Sequence, residues 1–172
     1  MGFDLMGLSP TNQIDFKDPE ADFKSMSISG TYFRSNCWCW RPLWEFVINT
    51  CADIITPDDA DHGHYNQGHE ITKVKALKIG ARLQNRIDDG FADKYITDRN
   101  KELDEAPDLE CYICEGTGKR ANPPIVGAGD LSCNGCNATG KKRPSECDYY
   151  LDKDNIQEFA DFCKNSGGFS IC

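Results

Sequence analysis

The feature that most constrains this chain is a nine-residue segment that occurs twice. Cys111-Tyr112-Ile113-Cys114-Glu115-Gly116-Thr117-Gly118-Lys119 returns twenty-two residues later as Cys133-Asn134-Gly135-Cys136-Asn137-Ala138-Thr139-Gly140-Lys141. The shared pattern is C-x-x-C-x-x-T-G-K. A C-x-x-C turn aims two thiolates at one point, and two such turns supply four sulfurs, the full shell of a tetrahedral ion. Glycine soon after the second cysteine lets the chain turn with positive φ. That turn brings backbone N–H groups near the sulfurs, where they offset thiolate charge. The repeat therefore predicts one structural zinc ion held by Cys111, Cys114, Cys133 and Cys136. Four thiolates leave no open position for water or substrate, so this ion is expected not to be catalytic. The connection over 121–131, with Pro123-Pro124, reads as hairpin-like rather than helical.

Composition supports metal over disulfides. Ten cysteines in 172 residues fall below the roughly 8–10% of a disulfide scaffold, and a chain this long can bury about 70% of its unfolded surface without such staples. The opening Met1-Gly2-Phe3-Asp4-Leu5 has no basic region of a secretory signal. No run approaches the ~18 apolar residues of a membrane span. The expected setting is therefore cytoplasmic and reducing, with no membrane contact. The formal charge is −9, which disfavours binding to a phosphate backbone. That charge is uneven. Residues 111–143 carry +3, from Lys119, Arg120, Lys141, Lys142 and Arg143 against Glu115 and Asp130, and the remainder carries −12. Counting a zinc tetrathiolate as −2 lowers the local surplus to about +1.

Cys111-x-x-Cys114-x-Gly116-x-Gly118 resembles the C-x-x-C-x-G-x-G repeat of DnaJ-type zinc fingers. The second copy departs from it, with Ala138 in place of the first glycine. DnaJ proteins carry four such repeats and two zinc centres, whereas two repeats here make one. The resemblance covers about 35 residues, and the chain has no His-Pro-Asp tripeptide of a J-domain. It implies a module used to contact proteins or unfolded chains, and sometimes RNA. A second resemblance spans about residues 1–90. Gly2-Phe3-Asp4-Leu5, Gly7-Leu8-Ser9-Pro10, Tyr32-Phe33-Arg34 and Trp38-Cys39-Trp40-Arg41-Pro42-Leu43-Trp44 resemble small uncharacterised phage and bacterial proteins. It implies phage or prophage origin and no activity.

Outside the repeat the pattern is mainly helical. Residues 1–30 read as irregular with short extended pieces, and Thr31-Tyr32-Phe33 as a brief strand. Trp44, Val47, Ile48, Cys51 and Ile55 make one apolar face of a helix over about 41–54, with Pro42 in its first turn. Thr56-Pro57-Asp58-Asp59 starts a short helix. A longer one runs from about Thr72 to Asp89, with Val74, Leu77, Ala81, Leu83 or Gln84, and Ile87 as its apolar face and Gly90 after its end. Another follows from Phe91 to about Leu103. Glu105-Ala106-Pro107-Asp108 is the expected boundary. A last helix, capped by Asp154, puts Ile156, Phe159, Ala160 and Cys163 on one face. The expected fold is α+β: a predominantly α-helical N-terminal domain (1–106), an inserted four-cysteine zinc-binding hairpin module (107–145), and a C-terminal helix (146–172) that packs back on the first domain.

Weaker signals concern binding. His62, His64 and His69, near Asp58, Asp59 and Asp61 and with Tyr65 and Asn66 between them, suggest a loop that binds a ligand, a second metal site or an acid–base pocket. Cys37-Trp38-Cys39-Trp40 reads as a strand-like stretch, and Trp38, Trp40 and Arg41 as possible contacts for a ligand or partner. Cys51 and Cys163 fall on apolar faces and are expected in the core. The leading expectation is a non-enzymatic, zinc-stabilised interaction protein, an inhibitor or adaptor acting on a host or viral protein, phage-encoded and cytoplasmic in the host. Two other readings stay open. One is a nucleic-acid-binding module using Lys119, Arg120, Lys141, Lys142 and Arg143. The other is a small enzyme or ligand-binding protein using the histidine loop and the tryptophan cluster.

Overall fold

The computed structural model describes residues 2–122 and 131–172; most of the 121–131 connection therefore lies outside the described residues. The chain divides into two compact units, Met1–Asp98 with Tyr149–Cys172, and Arg99–Asp148. The class is α+β. No helix among the described residues is long and apolar enough to cross a membrane.

The first unit is built on a four-stranded antiparallel sheet in the order β2-β1-β6-β3. Strand β1 (Gly2–Gly7) pairs β2 (Tyr32–Asn36) through Leu5 opposite Phe33, and β6 (Phe169–Ile171) through Leu5 opposite Ile171. Strand β3 (His69–Ile71) pairs β6 through Ile71 opposite Phe169. The side-chain period of two puts Phe3, Leu5, Phe33, Ile71, Phe169 and Ile171 into one core. The other face carries Asp4, Met6, Tyr32, Arg34 and Ser170 by the same alternation. Residues 1–30 thus contain an extended piece, as expected, and also a short helix that the sequence pattern does not show. Phe3 and Leu5 alternate with Asp4 and Met6, enough to make a strand, and Asp22 caps helix α1 (Phe23–Ser29) by accepting from Ser25 N.

Helix α2 (Cys37–Thr50) begins four residues earlier than the sequence pattern suggests. Asn36 caps it, its side chain accepting from Cys39 N at 3.0 Å. Cys37-Trp38-Cys39-Trp40 is thus the first turn of a helix and not strand-like. Pro42 sits inside the helix, one turn in, where its missing N–H leaves only the Trp38 carbonyl without an intrahelical donor. Trp40, Leu43, Trp44, Phe46 and Val47 are completely buried, as is Cys51 just past the helix end.

Helix α3 (Pro57–His62) has the expected start. Thr56 and Asp59 form a reciprocal capping box, with Pro57 in the first turn. Helix α4 (Lys73–Asp88) is capped by Thr72. Its buried face is Ala76, Ile79, Gly80 and Leu83; Leu83 and the half-buried Ile87 meet the core as expected, whereas the start of the face turns away, with Val74 63% exposed and Leu77 42%. The reason is Gly80. A Cβ there would stand 2.8 Å from the Ala160 carbonyl oxygen and 2.9 Å from Lys164 Cγ. Helix α6 (Lys153–Asn165) therefore approaches backbone to backbone at the one residue a hydrophobicity count leaves out. Its cap is Asp152, which accepts from Asn155 N at 2.7 Å, and not Asp154. Ile156, Phe159, Ala160 and Cys163 are fully buried as expected. Helix α5 (Phe91–Glu105) continues two residues beyond its expected end, and the division between units falls within it.

The second unit contains the two cysteine turns, a two-stranded ladder of β4 (Leu109–Glu110) with β5 (Lys141–Lys142), and a short 3-10 turn, Ser145–Asp148. Arg143 Nη2 donates to Leu103 O at 3.1 Å and to Asp104 Oδ1 at 3.0 Å.

Candidate metal centre

Each copy of the repeat folds into the same turn. Cys114 N and Gly116 N both donate to Cys111 O, and Thr117 N to Cys114 O; Cys136, Ala138 and Thr139 repeat this pattern on Cys133 O and Cys136 O. The threonine common to both copies closes the turn, its hydroxyl donating to Cys114 O or Cys136 O at 2.6 Å. The following glycine N–H donates to sulfur: Gly118 N to Cys114 Sγ and Gly140 N to Cys136 Sγ, both at 3.3 Å. The T-G-K part of the repeat is therefore part of the cysteine environment. It supplies the N–H groups that solvate a thiolate buried from water.

The two turns are exchanged around a local two-fold. Cys111 N donates to Gly140 O, and Cys133 N to Gly118 O, both at 2.9 Å. The entry to each turn thus pairs with the exit of the other. This reciprocal pairing sets the sulfurs together. Cys111 Sγ lies 3.9 Å from Cys133 Sγ, and Cys114 Sγ lies 3.7 Å from Cys136 Sγ. All four sulfurs lie within 4.8 Å of one another, and all four cysteines are buried. They can hold a metal ion.

Electrostatics point the same way. Burial pushes the Cys114 thiol up to about 11, the neighbouring thiols add to this, and the Gly118 N–H opposes it. Burial also works to raise Cys133, but the Gly135 N–H and hydrogen bonds from the other three thiols outweigh it and hold Cys133 at about 7. Cys133 is thus ready to ionise near neutrality while Cys114 resists, and a cation that replaces the protons relieves that resistance.

The other residues singled out from the sequence take up different settings. Trp40 is a core residue; its Nε1 donates to Gly63 O at 2.8 Å. Trp38 is 44% exposed, with its ring 5.2 Å from that of Tyr149. The Arg41 guanidinium lies over the same tyrosine at 6.0 Å. Tyr65 is exposed, His64 is half-buried, and Asn66 Nδ2 donates to Gly2 O at 2.6 Å. His62 and His69 do come together, their rings nearly parallel at 4.8 Å. Of the three aspartates beside them in sequence, Asp59 is the one that organises them, a role the spacing alone does not show. Asp59, its side chain 4% exposed, takes His69 Nε2 at 3.0 Å and pairs with Lys75. Burial would raise its carboxyl, but Lys75, Thr56 and His69 together hold it well below the usual carboxylate range. Its signal in the sequence was its place three residues after the capping Thr56.

Compared with protein-family models, curated proteins and solved structures, this chain matches none.

Proposed function

We propose that this chain is a non-enzymatic interaction protein whose second unit is folded by one structural zinc ion on Cys111, Cys114, Cys133 and Cys136. The observation that carries this reading is what the unit buries. Among its described residues, the buried apolar cluster consists of those four cysteines and nothing else, while Tyr112 is 78% exposed, Leu109 56% and Leu131 46%. A unit without an apolar core takes its folding free energy from elsewhere, and metal binding supplies it. The sulfur spacing supports zinc. Four sulfurs at about 2.3 Å from one ion in a tetrahedron stand about 3.75 Å apart, against the 3.7 and 3.9 Å found. A closed four-thiolate shell leaves the ion no position for substrate, which supports a structural role. As a measurement, the reduced full chain should release one zinc per chain to an organomercurial, and Cys114→Ser should release none. Retention of that zinc by Cys114→Ser would overturn the assignment.

Interaction then falls to the surface. The acidic first unit exposes Phe16, Phe23 and Trp38 at 52, 56 and 44%, and exposed aromatic residues are the usual anchors of a protein interface. A host or viral protein with a basic contact surface is the proposed partner. Full-length chain should capture it, and a Phe23→Ala/Trp38→Ala variant should capture at least tenfold less; equal capture would refute this placement. The nucleic-acid reading is weaker, because Arg143, one of its five basic residues, is held by Asp104 and Leu103.

A further inference from the structure

The first unit holds a second set of metal-ligating side chains, and its hydrogen bonds determine which nitrogens are available. His62, the last residue of α3, places Nδ1 2.9 Å from the Asp58 carbonyl oxygen and 3.2 Å from Asp58 Oδ1. A carbonyl oxygen only accepts, so in neutral His62 the proton sits on Nδ1 and Nε2 carries a lone pair. His69, the first residue of β3, places Nε2 3.0 Å from Asp59 Oδ1. Asp59 is ionised and also only accepts, so Nε2 carries the proton and Nδ1 the lone pair. Both histidines are thus held in the way metal-binding histidines are held, with one ring nitrogen donating to an acceptor and the other left free. Asp59 is itself fixed. It takes the backbone N–H and hydroxyl of Thr56, each at 2.8 Å, and the Lys75 ammonium. Ligand atoms of Asp58, His62 and His69 all lie within 4.8 Å of one another.

We propose that Asp58, His62 and His69 form a second metal site, open to solvent, for a borderline divalent transition ion such as zinc, with Asp59 as the residue that positions His69. Two imidazoles and one carboxylate suit such an ion, whereas calcium and magnesium prefer all-oxygen shells. Two ligands on one ion at about 2.1 Å stand at most about 4.2 Å apart, and an imidazole lone pair lies in its ring plane, so the two nearly parallel rings turn toward a common point as the set closes. The side chains of Asp58 (71% exposed) and His62 (38%) have the room to do this. Three protein ligands leave at least one position to water, which the four-cysteine shell does not.

The test uses full-length chain already holding its mercurial-releasable zinc, titrated with zinc chloride by calorimetry and native mass spectrometry. A second equivalent should bind to this protein and to Cys114→Ser, which separates this site from the cysteine centre. His62→Ala and His69→Gln should each weaken the second equivalent at least tenfold, with the first unchanged and the helical circular dichroism retained. Asp59→Asn should weaken it 10- to 100-fold, and His64→Ala should leave it as it is. Absence of a second equivalent, or its survival in the His62→Ala/His69→Gln double variant, would overturn the proposal. His62 is a half-buried residue at a helix end, outside the apolar core, so His62→Ala alone decides the matter if the other variants fail to fold.

Discussion

Substituting Gly140 by alanine should weaken metal binding far more than substituting Gly116, although both glycines have φ of +76°. The left-handed conformation itself costs a non-glycine residue about 1–2 kcal/mol, so it does not separate the two. What separates them is the neighbour. At Gly140 a Cβ would stand 2.1 Å from the Gly116 carbonyl oxygen and 2.8 Å from its carbon. Ordinary contact begins near 3.4 Å, so the two backbones would have to part by more than 1 Å. They would part across the pairing that carries the Cys111 N–H to Gly140 O. At Gly116 the atoms nearest the Cβ belong to the Glu110 side chain, 2.9 Å away at its carboxylate, and that side chain can swing aside. The chain contains its own control. Ala138 occupies the corresponding place in the second copy with φ of +62°. Gly116→Ala should therefore cost about 1 kcal/mol, roughly fivefold in zinc affinity. Gly140→Ala adds an overpacking cost of about 1–3 kcal/mol, for a total loss of roughly 30- to 1,000-fold. Gly118→Ala, facing Ala138 O at 2.3 Å, should behave like Gly140→Ala. The assay is competition with a chromophoric chelator on reduced protein at fixed pH. Equal losses at Gly116 and Gly140 would refute the reciprocal backbone contact as the reason for the glycine.

Four further outcomes follow from the same contacts. Cys114→Ser should lose the metal and loosen residues 109–145 in hydrogen exchange, while helical circular dichroism stays within about a tenth of its value, since the first unit has its own core. Trp40→Ala should destabilise the first unit by about 3–5 kcal/mol in chemical denaturation, whereas Trp38→Ala, at a half-exposed position two residues away, should cost under about 1 kcal/mol. Gly80→Leu should lower the thermal midpoint by several degrees, because α4 and α6 must separate to admit it, at about 1–3 kcal/mol. Asp59 has a folded pKa below its unfolded value; its contribution is therefore fully present above about pH 4 and is lost as pH falls below that. Asp59→Asn should flatten the acid limb of the stability curve between pH 5 and 2, and an unchanged limb would show that Asp59 is not the group responsible.

Much of the helical skeleton was legible because its signals are local. The cap at Thr56, the helix start near Thr72, and the spacing of Ile156, Phe159, Ala160 and Cys163 need no knowledge of what lies opposite. The errors arise where a neighbour distant in sequence decides. The buried face of α4 turns on Gly80 against Ala160, eighty residues away, and glycine carries no hydrophobic weight to mark it. The start of α2 turns on Asn36, a cap whose effect was hidden by the proline that follows. The sheet was mostly unread because β3 and β6 are three residues each, too short for alternation to show. Only their pairing, Ile71 with Phe169, makes them strands.

The same contrast separates the two side-chain clusters. The cysteine centre is legible because everything that shapes it lies within thirty-one residues and is written twice; repetition turns a weak two-cysteine spacing into a four-ligand set. What the spacing did not contain is the exchange of the two turns, in which Gly118 and Gly140 each lie against the other copy's backbone. The histidine cluster had the opposite fate. His62 and His69 are seven residues apart, a spacing with no helical meaning, and they meet because α3 ends where it does and because β3 docks on β6. Its organising residue, Asp59, is visible in the sequence as a first-turn helix acid and as one of three aspartates near the histidines, with nothing to set it apart from Asp58 and Asp61. One carboxylate thus holds the start of α3, the Lys75 ammonium on α4 and the imidazole that opens β3. A group so placed is more than a cap, because removing it releases three elements together. That dependence is why the metal affinity of the histidine pair and the acid stability of the first unit should change together in Asp59→Asn, and separately in His62→Ala.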